Sequence, residues 1–359
     1  MTSLSDPLDL GRGPVMANRF MLAPLTNLQS HDDGTLSDDE HRWLTMRAAG
    51  GFGATMTCAA YVQQGGKAFP GQLGISSDAH LPGLARLARD IAATGSVSSV
   101  QLHHGGERAR RELSGEDLVA PWDGGEFGTR AMTTAEVEGS IEAFIAAAVR
   151  AEKAGFHGVE LHGAHSYLLC EFLNAEKNLR GDRYGGSYEN RTRMLREIID
   201  GVRAATGSGF HLGVRLSPER HGMGLAEAMR LAEEIMTGGQ VDYLDMSLWN
   251  CFKPPVEAEH AGRPLIDWFT GLERGTCRLG VAGKLMSTAT AQACLDHGAD
   301  FVLIGRGAML HHDYPRRALA DAGFQTIALP VTRDYLRAEG LGEAFVQYVT
   351  STWKTFVSD

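Results

Sequence analysis

Phe20-Met21-Leu22-Ala23-Pro24-Leu25-Thr26-Asn27 decides between two architectures. Its first residues read as a brief buried strand. A doubly wound nucleotide-binding sheet would follow its first strand with a GxGxxG turn opening a helix. Here the strand runs into Ala-Pro-Leu-Thr-Asn instead. Further β-rich runs stand at Ala54–Cys58, Val97–Leu102, Gly158–Leu161, His211–Leu216, Val241–Met246, Cys277–Val281 and Phe301–Ile304. Most are rich in Val, Ile and Leu without strict polar alternation, which suits strands covered on both faces. Eight strands separated by helices allow a closed barrel or an open sheet. The missing fingerprint and the count favour closure, so the expected fold is α/β, a single (β/α)₈ TIM barrel.

The connecting segments carry helical periodicity. Ile141, Phe144, Ile145, Ala148 and Val149 recur at the spacing of one helix face. So do Met194, Leu195, Ile198, Ile199 and Val202, and Leu225, Ala228, Met229 and Ala232. Ser37 with Glu40 and Thr133 with Glu136 have the spacing of capping boxes. Gly50, Gly155, Gly207 and Gly298 stand where helices should stop. Two connections, residues 103–135 and 162–190, are long enough to suggest function. In a barrel both would follow strand C-termini, at the face that carries active sites. All 359 residues read as one domain, with a core at about 18–315 and a helical tail at about 330–359. The tail's aromatics, Tyr335, Phe345, Tyr348, Trp353 and Phe356, suit packing against the barrel or against a second copy in a homo-oligomer.

Composition narrows the function classes. A net charge of −10 and pI near 5.8 give no basic surface for nucleic acid. The five cysteines (Cys58, Cys170, Cys251, Cys277, Cys294) are scattered with no CxxC pair, so neither a zinc site nor an iron–sulfur cluster is expected. No run approaches the roughly 18 apolar residues of a membrane span. The N-terminus lacks a signal-peptide pattern, and the expectation is a cytoplasmic protein with no membrane partner.

Chemistry concentrates in Gly158-Val159-Glu160-Leu161-His162-Gly163-Ala164-His165-Ser166-Tyr167. A buried strand ends here in two imidazoles and a phenol, which can polarise a carbonyl oxygen and deliver a proton. Alone, the histidines also fit structural roles. HxxH can chelate a metal, but no carboxylate or third histidine stands at ligand spacing, and no metal is expected.

Further stretches carry a resemblance. They are Glu171-Phe172-Leu173-Asn174; Asn178 through Arg191, reading NLRGDRYGGSYENR; Phe20 through Thr26; Arg47 through Gly53; Gly213 through Pro218; and Ala299 through Arg306. In order and across residues 18 to 315, they resemble the old yellow enzyme family. The resemblance implies non-covalent FMN, NADPH or NADH as reductant, and a small activated alkene as substrate. It would place Ala23, Pro24, Leu25 and Thr26 beside the flavin, Ala60 and Gln101 at its polar edge, and Arg215 near its N1–O2 region. Gly283, Lys284, Gly305 and Arg306 would hold the phosphate. His162, also a flavin neighbour, and His165 would bind the substrate oxygen. Tyr167 would protonate Cα after hydride reaches Cβ. Thr26, His103, His162, His165, Tyr167 and Trp249 would line the substrate pocket.

Three positions depart from the family pattern. Lys284 stands at a common glycine of the phosphate turn, Thr26 is paired with Leu28, and His103 occupies a position where some members have tryptophan. A flavin dehydrogenase or oxidase, or a redox-neutral flavin isomerase, is the alternative chemistry. A catalytically idle binding barrel is the alternative class, and it is disfavoured because His162, His165, Tyr167 and Arg215 are all present.

Overall fold

The computed structural model describes residues 2–358. Eight parallel strands close into a barrel: β1 Phe20–Leu22, β2 Ala54–Tyr61, β3 Val97–His103, β4 Gly158–Gly163, β5 His211–Leu216, β6 Tyr243–Ser247, β7 Arg278–Ala282 and β8 Phe301–Ile304. Each strand pairs with its sequence neighbours, and β1 closes on β8 through Phe20↔Val302 to Leu22↔Ile304. Helices between strands cover the outside, the principal ones being Asp38–Ala49, Leu81–Ala92, Thr134–Lys153, Tyr188–Ala205, Leu225–Thr237 and Thr288–Asp296.

The apolar residues sort into two clusters. The larger lies between strands and helices, where Leu87, Ile91, Phe144, Ile198 and Leu231 are fully buried. The smaller fills the barrel, with Met21, Met56, Tyr243, Phe301 and Leu303 inside and Leu8, Leu10 and Met16 beneath them. Leu8 and Met16 exchange backbone hydrogen bonds of 2.9 Å, making a small hairpin at the lower mouth. Glycine makes room for the two interior rings. A Cβ at Gly213 would collide with Tyr243, and one at Gly280 with Phe301.

Expected boundaries match at β1, β5 and β8 and shift elsewhere. β2 runs on to Tyr61 through a register shift between Met56 and Ala59, β4 runs to Gly163, and β6 begins at Tyr243. Only one of the two capping boxes forms. Thr133 and Glu136 bond reciprocally, whereas Ser37 accepts from Glu40 N while the Glu40 carboxyl turns inward to Ser30, Asn27 and Cys58. Gly155 and Gly298 take left-handed backbone after their helices. Gly50 remains right-handed, the left-handed residue being Gly51, and Gly207 follows an extended Thr206. All five cysteines are free and buried.

The long connections are partly ordered. Residues 103–135 hold a short helix, Arg111–Ser114, and a two-stranded pair, Val119–Ala120 with Arg130–Ala131. Residues 162–190 include a helix at Leu168–Leu173. The tail has helices at Arg333–Ala338 and Glu343–Thr352 and packs on the barrel: Phe345 meets Trp43 edge-on at 4.9 Å, and Arg47 donates to Glu339 O at 2.7 Å. No helix among the described residues is long and apolar enough to cross a membrane.

Candidate active site

Every expected site residue lies at or beyond the C-terminal ends of the barrel strands, where the side chains of several strands converge. Register stacks the polar ones in levels. Gln101 pairs with Glu160 across β3 and β4, while His162, Arg215 and Asp245 occupy paired positions across β4, β5 and β6. Gln101 Nε2 donates to Glu160 Oε1 at 2.8 Å. Arg215 Nε stands 3.0 Å from Asp245 Oδ2, an ion pair without hydrogen-bond alignment. Glu160 and Asp245 are fully buried. Burial raises both carboxyls; the Asp245 charge raises Glu160 further, and Arg215 pulls against the rise in each. Two buried carboxyls beside one guanidinium cannot both ionise cheaply, and Glu160 is the one held neutral.

Two cavities open above this layer. One, of about 690 Å³, is bordered by Ala23, Pro24, Leu25, Gly283, Lys284, Gly305 and Arg306, with Arg215, Trp249 and Trp353. The other, of about 560 Å³, is bordered by Thr26, Gln101, His162, His165 and Tyr167, with Arg108, Arg220, Tyr348 and others. Pro24, Arg215, Arg220, Ser247 and Trp249 border both.

Two sequence expectations need correction. Ala60 is fully buried and borders neither cavity; Ala59 does, because the bulge in β2 adds a residue and reverses which side chains face inward. His103 is also fully buried and borders neither. It stands behind the site, with its ring 4.4 Å from that of Tyr167 and 5.3 Å from that of His162, and its Nδ1 3.1 Å from Gln72 Nε2. Burial pushes it down to about 3, so it is a neutral support of the wall.

His162 Nε2 and His165 Nδ1 lie 3.0 Å apart, and His165 Nε2 lies 2.8 Å from Ser247 Oγ. The Tyr167 ring is 5.1 Å from that of His162. Burial first, then positive neighbours including Arg215, holds both imidazoles well below the ordinary histidine value. Burial raises the Tyr167 phenol, against a lowering by Arg108. The site therefore presents neutral imidazoles and a protonated phenol at neutral pH.

Backbone strain marks the same face. Among the described residues, the non-glycine residues with left-handed backbone are Leu28, His165, Ser166, Arg220, Trp249 and Lys284, each in a loop after a barrel strand. Such conformations persist where surrounding structure holds them and gather at functional sites. Lys284 at φ 55° explains why glycine suits that position.

Sequence reading missed Arg108, Arg220, His221, Ser247, Tyr348 and Trp353, all at the cavities. Ser247 ends β6, so the rule that barrel strands carry site residues at their C-termini was a usable signal. For the tail residues no local signal existed.

A family model for the NADH:flavin oxidoreductase / NADH oxidase family matches residues 3–320. The probable NADH-dependent flavin oxidoreductase YqiG of Bacillus subtilis is 35% identical over 314 residues, covering 84% of each chain. The NADH:fumarate oxidoreductase of Klebsiella pneumoniae is 33% identical over 332 residues, 88% of this chain but 36% of that one; the chain spans about a third of that relative's length. The solved old yellow enzyme homologue from Zymomonas mobilis is 26% identical, with a TM-score of 0.79 over 97% of this chain and 99% of that one.

FMN is the cofactor of this family and NAD(P)H its reductant. The residues present fit FMN. The larger cavity has an apolar floor of Ala23, Pro24 and Leu25 with Lys284 and Arg306 in its wall, suited to a ring with a phosphate arm. A buried guanidinium, Arg215, borders both cavities, its Nε backed by the Asp245 carboxylate at 3.0 Å.

Proposed function

Because the chain belongs to the NADH:flavin oxidoreductase / NADH oxidase family and is an NAD(P)H-dependent flavin oxidoreductase of the old yellow enzyme type, we propose that it is an ene-reductase acting on small α,β-unsaturated carbonyl compounds. We take residues 1–359 as one FMN-binding domain, with Lys284 and Arg306 at the phosphate, Gly283 and Gly305 beside it, and Ala23 to Thr26 along the ring. Bound FMN would supply the hydride chemistry, taking a hydride from NADH or NADPH and giving one to the substrate's Cβ.

The observation that carries this reading is the placing of His162, His165 and Tyr167 in one cavity wall with both imidazoles neutral. His162 Nδ1 is buried without a partner. An unpartnered N–H costs more than an unpartnered lone pair, so the proton belongs on Nε2. That N–H points to His165 Nδ1 and turns to a substrate oxygen when one enters. The Ser247 hydroxyl can accept from or donate to His165 Nε2, so it lets His165 move its proton to Nδ1 and donate as well. Two N–H donors then meet the oxygen on which negative charge develops. Tyr167 gives its phenolic proton to Cα, so the alkene gains one hydride and one proton. The Asp245 carboxylate keeps Arg215 directed at the ring, and neutral Glu160 fixes the amide of Gln101.

The test separates the half-reactions. Tyr167→Phe should leave flavin reduction by NADPH nearly at the wild-type rate and slow oxidation by cyclohexenone about 100-fold or more, the usual worth of a positioned acid. Wild-type rates in both halves would remove Tyr167 from its role.

A further inference from the structure

The substrate cavity carries more positive charge than the proposed reaction uses. Arg108 comes from the loop after β3 and Arg220 from the loop after β5, and both border it. The Arg108 guanidinium lies 5.8 Å from the centre of the Tyr167 ring. Both cations act on His221, which borders the same cavity and whose Nδ1 is 2.7 Å from Ser166 Oγ.

Arg108 has no ion pair among the described residues, and Arg220 has only a shared one, with Glu219 at the same cavity. On the far side of Arg108, Glu107 accepts from Trp122 Nε1 and Glu126 N, and burial pushes Glu171 well above the ordinary carboxylate range. The acid next to Arg220, Glu219, is 3.7 Å away and already takes Lys253 and the Val256 N–H. Arg220 also holds left-handed backbone, φ 71°, a conformation a long side chain adopts only when its loop demands it.

We infer that this end of the cavity is an anion subsite, and that the substrate is an activated alkene bearing a carboxylate separate from its activating carbonyl. This deepens the ene-reductase reading and rests on it. The carbonyl oxygen sits between His162 and His165, and the carboxylate, attached on the Cβ side, reaches Arg108 and Arg220. A guanidinium's flat fork matches a carboxylate in a way a point charge does not. A phosphate is the weaker fit, because Lys284 and Arg306, the cations suited to one, border the other cavity, which Arg220 also borders but Arg108 does not. A simple 2-enoate is also a weaker fit: its carboxylate already carries the negative charge that hydride addition would have to add to.

The probes are β-acetylacrylate and its primary amide, equal in shape and different in charge. Their binding to the oxidised, FMN-loaded protein is followed by perturbation of the flavin spectrum and by calorimetry. The acid should bind about tenfold or more tightly than the amide, as expected of a charge-assisted pair. Added salt should reduce that ratio, and Arg108→Gln and Arg220→Gln should each lower it. An acid that binds no better than the amide overturns the subsite, and so does a preference that survives in both variants. If the variants raise the KM for NADPH in flavin reduction and leave the ratio alone, the arginines hold the reductant's phosphates and the inference fails. Because binding is read without turnover, tight acid binding with no reduction counts against the ene-reductase reading and supports the subsite. Reduction of both probes with equal affinity does the reverse.

Discussion

At the residue scale, the site depends on burial deciding which groups carry charge. His162 and His165 are neutral because a charged imidazole would be stripped of water and set beside Arg215. Their values are lowered, so protonation begins only well below the ordinary value of about 6.5. Affinity for a neutral ligand such as cyclohexenone should therefore be flat between about pH 6 and pH 8. A titration of the dissociation constant with a midpoint near 6.5 would mean that a charged imidazole exists in the site. The local motif from His162 to Tyr167 was legible in the sequence because its residues share one strand end. Arg108 and Arg220 were not, because only barrel closure brings their loops together, whereas Ser247, the last residue of β6, carried a usable signal in its place at a strand end. The two misplacements have local causes. A bulge in β2 exchanged Ala60 for Ala59, and His103 was covered by Tyr167 and Phe69. Neither cause is visible in residue types.

At the element scale, the helices were legible from their periodicity and the strands from their apolar runs, while boundaries depended on what covers each end. β4 extends to Gly163 because Gly163 still pairs with Leu216 of β5, a tertiary fact. Capping shows the same division. Thr133 and Glu136 form the full reciprocal pair, and Glu136 also takes both ends of the Arg130 fork at 2.7 and 2.9 Å. Glu40, at the same spacing from its cap, is instead drawn into the buried cluster with Cys58 and Ser30. Thr133→Ala should cost about 1 kcal/mol by chemical denaturation, the typical worth of a helix cap. No change would mean that the Arg130 pair alone holds that helix end. The single change leaves the site untouched, since this cap lies on an exposed surface.

At the scale of the whole molecule, the tail is part of the barrel's upper surface. Phe345, Val346 and Val349 are fully buried, and the same helix carries Tyr348 to one cavity while Trp353 beyond it borders the other. Helix and aromatic content were readable in the tail; its docking site was not, since nothing local tells Phe345 that it will meet Trp43. Phe345→Ala should destabilise the protein by about 3–5 kcal/mol, as for other large-to-small changes in a core. It should also raise the KM for an enone by loosening Tyr348. A melting temperature equal to the wild type would show that the tail is only laid on the barrel.

Flavin-mediated reduction of an activated alkene can be followed in an anaerobic visible spectrum of the purified protein during NADPH addition and then enone addition. An ene-reductase should show a flavin band that bleaches with NADPH and returns when the enone is added. A band that bleaches and stays bleached with the enone present would contradict that reading.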